Sequence, residues 1–278
     1  MSVDSFKKEL WEAALLQGFQ GIAVADIITA KPSSVEGKTA HFNKSSLTNG
    51  LQDYEGTINW EDVNTEGIDL NYDKKKYFAF AVDDVDKIQL AGDVMLSETN
   101  NQSYQIKRTI DSAVFVEAAS GAKAGNVIGS KSSKKAVTTP EEAYDFIVDL
   151  GTKLDNNDVP TVGRYVIAQP EFVNLLAKDK RVIDNSTVLP TGIVQGMEVN
   201  GMQIIKTSNC PANQVIALHC SAVGYGKQID EVEAMRLQNA FKDGIRGLVQ
   251  YGVKTLLPEG IAVLNYEIKE KVAASTQA

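Results

Sequence analysis

The longest unbroken pattern in the chain runs from Val82 to Ala119. Val85, Ile88, Ala91 and Met95 form one apolar stripe at helical spacing, and Ile106, Ile110, Ala113, Val114 and Phe115 form a second. Ser97 to Gln105, between them, is almost wholly polar. Asp83 and Asp84 are cap candidates, Ser120-Gly121 close the run, and residues 84–119 contain one glycine, Gly92, and no proline. As a single helix this stretch spans about 54 Å, packed at its ends and wet in the middle. Two shorter helices joined near Asn100-Asn101 satisfy the same pattern.

Ahead of it, Phe6, Leu10, Ala13 and Ala14, flanked by Trp11 and Leu15, predict a short amphipathic helix that needs another surface to cover it. Ile22 to Ile28 reads as an extended segment before Lys31-Pro32. From Lys38 to Lys76 the pattern becomes long and polar. Thr39–Asn43 and Gly56–Val63 read as strands, with a turn signal at Asn49-Gly50. Asp53, Glu55, Glu61, Asp62, Glu66, Asp69 and Asp73 outnumber Lys44, Lys74, Lys75 and Lys76. With so few apolar residues, the stretch is either a two-stranded arm reaching away from the body or a surface loop. Tyr77 to Val82 is a compact strand that brings the chain back.

Thr139-Pro140-Glu141-Glu142 is a capping box with proline at the first helical position. Ala143, Ile147, Leu150 and Leu154 then share a face, and Asp145 and Asp149 lie on the solvent side as ordinary helix charge. Beyond Val159 the texture alternates: strand at Arg164–Ala168, helix at Pro170–Ala177, strands at Gln203–Lys206 and Gln214–His219, with Gly192, Gly196 and Gly201 in the loops. Gln228–Leu237 reads as a strand or a strand and turn. Val249, Tyr251, Val253, Thr255 and Leu257 alternate toward Pro258-Glu259-Gly260, which predicts a long hairpin with Ile261–Tyr266.

Composition bounds the chemistry. The 278 residues are 43% hydrophobic and 23% charged, enough for a full core. A net charge of −8 argues against a dedicated duplex binder, although a container for DNA tolerates it. Cys210 and Cys220 read as free thiols, and no apolar run reaches the roughly 18 residues of a membrane span. Neither His41 nor His219 has a metal-like spacing to other ligand types. Gly121 to Lys131 looks like a phosphate loop but has the wrong glycine spacing, and Ser130 separates Gly129 from Lys131. No catalytic residue, cofactor site or metal site emerges.

Lys75 to Gln89, Asp243 to Lys254, and Gly163–Ala168 with Pro170 and Phe172 together resemble the major capsid protein of tailed bacteriophages, the Hong Kong 97 type fold. The similarity covers roughly residues 20 to 268. It implies an α+β fold: an N-terminal arm (1–38), an extended β-hairpin loop (39–76), a peripheral domain (77–156 with 247–270) carrying a spine helix at 84–119, an α/β axial domain (157–246) and a tail (271–278). It further implies pentamers and hexamers of the chain closing into an icosahedral shell around double-stranded DNA bound without sequence specificity. Separate scaffolding and portal proteins would be the partners, with assembly in the bacterial host cytoplasm and no membrane. Candidate assembly contacts are Trp60, Asp53, Glu61, Lys44, Arg108, Gly192 and Gly196. Lys44 is a conceivable donor for an isopeptide cross-link, but no acceptor is identifiable. A nanocompartment shell of the encapsulin type, or a small-molecule enzyme built on residues 157–246, are the competing expectations.

Overall fold

The structure is a computed structural model describing residues 24–37, 39–46, 64–83, 94–184, 187–188, 194–195, 198–238 and 241–269. The first half contains α1 (Val24–Ile28), β1 (Ser34–Glu36), β2 (Thr39–Ser46), β3 (Asn64–Asn71), β4 (Lys74–Asp83), α2 (Val94–Gly121), β5 (Val127–Ile128) and β6 (Lys135–Val137). There follow α3 (Pro140–Asp155), β7 (Arg164–Ala168), α4 (Pro170–Leu176), α5 (Lys180–Asp184), β8 (Thr187–Val188), β9 (Val194–Gln195), β10 (Glu198–Val199), β11 (Met202–Lys206) and β12 (Gln214–His219). The long strands β13 (Val223–Arg236) and β14 (Lys242–Thr255) precede β15 (Ile261–Ile268).

A seven-stranded sheet in the order β10-β11-β7-β12-β15-β5, with β6 also on β15, forms the centre. Its central strands, β7, β12 and β15, are largely apolar on both faces, because both faces are covered there. Val215, Ala217, Ala262, Leu264 and Tyr266 point to one side and meet Ile147, Leu150 and Leu154 of α3 and Phe172 and Leu176 of α4. Ile216, Leu218, Ile261 and Val263 alternate to the other side and meet Ile110, Val114, Phe115 and Ala118 of α2. Tyr225 and Tyr251, from the three-stranded sheet β13-β14-β4, close over the same helix. The C-terminal part of α2 is therefore sandwiched between two sheets.

The capping box forms as predicted: Glu142 N–H donates to Thr139 Oγ1 at 3.3 Å, and Glu142 Oε2 accepts from the backbone N–H groups of Thr138 (2.6 Å) and Thr139 (3.3 Å). The long helix passes Asn100-Asn101 without a break, so the two-helix alternative is not realised. Its 28 described residues reach about 42 Å. Residues 84–93, including Val85, Ile88 and Ala91 of the first apolar stripe, lie outside the described residues.

Two expectations need correction. Val24–Ile28 is a short helix, not an extended segment, because Asp111 caps it from α2. The strand at 249–257 does not pair with 261–266: β14 pairs with β13 on one side and β4 on the other, while β15 joins the seven-stranded sheet. Grouped by sheet, β6 and β15 stand with residues 164–219, β13 stands with β4, and β14 crosses 246–247 unbroken.

Candidate functional site

The arm expected between Lys38 and Lys76 is present at its base. β2 and β3 pair antiparallel from Thr39↔Asn71 to Ser46↔Asn64, and β1 adds a short third strand. The return strand starts at Asn64; the Gly56–Val63 strand and the arm tip, with Asp53, Trp60 and Glu61, lie outside the described residues. Lys44 stands opposite Glu66 in the register. His41 Nδ1 lies 2.7 Å from Asp69 Oδ1 across the pair, so this histidine serves the hairpin. The base has its own small core, with Ala40, Phe42, Leu70 and Tyr72 buried and Leu256 of the body packed against them.

This base rests on the outer face of β13 and β14 through glycines. Gly226 and Gly252 are directly paired, and a Cβ at Gly226 would stand 2.6 Å from the Tyr72 ring. A Cβ at Gly252 would strike the Asn71 carbonyl oxygen, and one at Gly224 would lie 2.9 Å from Phe42. Lys254 Nζ adds a hydrogen bond to the Asp69 carbonyl at 3.0 Å. The sequence reading missed this seat. The available signal was Gly224-Tyr225-Gly226 alternating within a strand, a mark of close backbone approach.

On the opposite side of the same sheet, α1 docks onto α2. Ala25 N–H donates to Asp111 Oδ1 at 2.9 Å, Thr29 Oγ1 donates to the Ala25 carbonyl at 2.6 Å, and Asp26 pairs with Lys227 at 3.0 Å. Ala25 and Ile28 are fully buried there. Burial pushes the Asp111 carboxyl above the usual carboxylate range, against the pull of the Ala25 and Val24 N–H groups. Asp111 sits inside the predicted apolar stripe, and an acid in that position was a legible sign of a cap from a distant element.

Between β4 and α2 lies an open groove of about 520 Å³, with Lys74, Lys75 and Lys76 on one wall and Thr109, Ser112 and Val116 on the other. Val116 is 55% exposed. Arg108, one turn away, donates to Asn209 Oδ1 at 3.1 Å and lies 5.9 Å from the Tyr104 ring centre, so within the chain it ties α2 to the loop before β12. Gly192 and Gly196 lie outside the described residues.

Among the described residues no cluster of three or more His, Cys, Asp or Glu side chains is placed to hold a metal ion, and no helix is long and apolar enough to cross a membrane. Both cysteines are free; Cys210 is buried against the Gln214 carbonyl, and burial pushes its thiol up to about 12. His219 bonds Ser221 and the Val162 carbonyl. The loop after Gly121 is structural: Asn126 donates to the carbonyls of Glu259 and Ile261, and Lys123 pairs with Glu259.

A buried helix shared between two sheets, with a hairpin arm projecting from one of them, defines the class: this is the Hong Kong 97 type capsid fold. The comparisons agree. The sequence profile described as phage capsid protein matches residues 67–264. A solved chain from Mycobacterium phage Che8 shares 26% identity with a TM-score of 0.69, over 88% of this chain and 91% of that one. The capsid structure of the cyanophage P-SCSP1u has 17% identity and a TM-score of 0.69, over 90% and 89% of the two chains. The SrpI encapsulin complex from Synechococcus elongatus PCC 7942 has 10% identity and a TM-score of 0.56, over 88% and 89%. No curated protein matches the chain by sequence. The chain belongs to the phage capsid protein family and is a structural protein of the virion shell.

Proposed function

We propose that the chain assembles as pentamers and hexamers into a closed icosahedral shell around double-stranded phage DNA, with separate scaffolding and portal proteins as partners. The family match across residues 67–264 carries this reading. In it, residues 1–38 form the N-terminal arm and 39–76 the extended loop. The three-stranded sheet with α2 takes the peripheral role, and the seven-stranded sheet with α3 to α5 the axial role around the five- and six-fold axes.

The arm tip is the principal contact. Residues 47–63 carry Asp53, Glu55, Glu61 and Asp62 with no basic residue, while the groove beside α2 presents Lys74 to Lys76. β2 carries the arm about 27 Å from Thr39 to Ser46, and in this reading the acidic tip beyond it reaches the groove of a neighbouring subunit. Asp53, Glu61 and Trp60 meet that subunit's lysine wall, and Arg108, Lys44, Gly192 and Gly196 complete the candidate contacts.

The test is negative-stain electron microscopy of the purified chain, with and without its scaffolding protein, after sizing by sedimentation. Closed shells or five- and six-membered rings are expected; a uniform monomer in every condition would overturn the reading. The likeness to an encapsulin favours one alternative, a nanocompartment with protein cargo. Nuclease-protected DNA in shells from infected cells, against a protein cargo, separates the two. Deleting Thr48 to Glu66 is expected to leave a folded monomer that no longer assembles.

A further inference from the structure

The arm is a long lever on a small base. Among the described residues, beyond its pairing with β1 and its chain link through Asp73 into β4, it meets the body chiefly through Phe42, Leu70 and Tyr72, the Asn71 backbone and the Lys254–Asp69 hydrogen bond. All of these converge on one face of β13 and β14, where Gly224 and Gly226 lie two residues apart and Gly252 faces Gly226 across the pair. None of the three has a left-handed φ, so the backbone itself accepts alanine at each. At Gly226 and Gly252 the atoms in the way all belong to the overlying arm; at Gly224 Leu256 Cδ1 of the body stands beside the Phe42 ring, 3.2 Å from the added Cβ.

We infer that Gly224, Gly226 and Gly252 set the direction in which the arm leaves the body, and thereby which neighbouring surface its tip can reach. The three positions are not equivalent. At Gly252 the obstacle is the Asn71 carbonyl, main chain that moves only if β3 moves. At Gly226 it is the Tyr72 ring, and at Gly224 the far edge of the Phe42 ring, which can pivot. A shift on the order of 1 Å across a base about 5 Å wide tilts the arm, and over a lever of about 27 Å its far end moves on the order of 5 Å. That displacement equals one strand spacing, enough to lose a docking register. The consequence for assembly rests on the capsid reading; the arm direction does not.

The experiment uses the full chain in a Cys220→Ser background, with nitroxides on Thr65→Cys in the arm and Lys206→Cys on the body, and pulsed dipolar distances read on the unassembled protein. Gly252→Ala is expected to move the distance distribution by about 5 Å with the circular dichroism unchanged, and to stop or reshape assembly. Gly226→Ala is expected to do the same and to revert when combined with Tyr72→Leu, which clears the ring. Tyr72→Leu does not rescue Gly252→Ala. Should Gly252→Ala fail to fold, the Gly226→Ala pair with and without Tyr72→Leu decides. An unmoved distance in folded Gly252→Ala or Gly226→Ala, or equal rescue of both by Tyr72→Leu, overturns the inference. A wild-type chain that never assembles overturns the capsid reading instead, and the distances still decide this one.

Discussion

Asp111 Oδ1 accepts the backbone N–H of Ala25 at 2.9 Å across 86 positions of sequence, and this bond holds the first described helix against the long one. Burial opposes the charge that makes the bond strong, and the raised Asp111 pKa reports that opposition.

The sign of the pH effect follows. Between about pH 4, where an unfolded aspartate titrates, and its raised folded value, the native chain holds a proton that the unfolded chain releases. The Asp111 contribution to stability therefore falls as pH rises through that window and is level on either side. Asp111→Asn keeps an acceptor oxygen without the charge. Urea unfolding across this range is expected to show the wild-type-minus-variant difference declining with pH, and a flat difference would contradict the assignment.

Ile110 is 3% exposed in the sandwich between the two sheets. Ile110→Asp places a charge there without a partner and is expected to cost on the order of 4 kcal/mol, enough to abolish soluble expression. Wild-type yield would mean that this part of the helix is not buried.

At α3, Thr139→Ala removes one half of the capping box and is expected to cost about 1 kcal/mol. Glu142→Ala loses the acceptor for Thr138 and Thr139 and is expected to cost at least as much. Thermal unfolding of the unassembled chain measures both, and unchanged midpoints would rule out the cap's contribution.

The two thiols are expected to differ. Cys210 is 3% exposed with its thiol pushed up to about 12, whereas Cys220 is half-buried. A thiol reagent on the native unassembled chain is expected to modify Cys220 and to reach Cys210 only after urea is added. Equal rates at both would show that the seven-stranded sheet opens.

Where local rules act alone, the sequence was a good guide. Thr139-Pro140-Glu141-Glu142 predicted a cap that the structure forms, and the stripe through Ile110, Val114 and Phe115 predicted burial. Tertiary effects decided the rest. Val24 to Ile28 is rich in β-branched residues and reads as a strand until Asp111, far away in the chain, supplies the missing acceptor. The alternation from Val249 to Leu257 identified a strand and its faces, but alternation is the same whichever strand lies alongside, so the preference of β14 for β13 and β4 over β15 was invisible. At the arm, the long polar pattern pointed to a two-stranded arm or a surface loop, and the pairing of β2 with β3 decides for the arm. Its seat on Gly226 and Gly252 depends on the absence of side chains, which hydrophobic patterning does not register.

The last described strand has a consequence for synthesis. β15 pairs with β12, β5 and β6 and lends Ile261 and Val263 to one core and Leu264 and Tyr266 to the other. On the ribosome, where chains emerge N-terminus first, β5, β6 and the open edge of β12 wait for it, while β10, β11, β7 and β12 pair among themselves. The central sheet is thus completed only after residue 268 leaves the exit tunnel, which makes its closure a late step of synthesis.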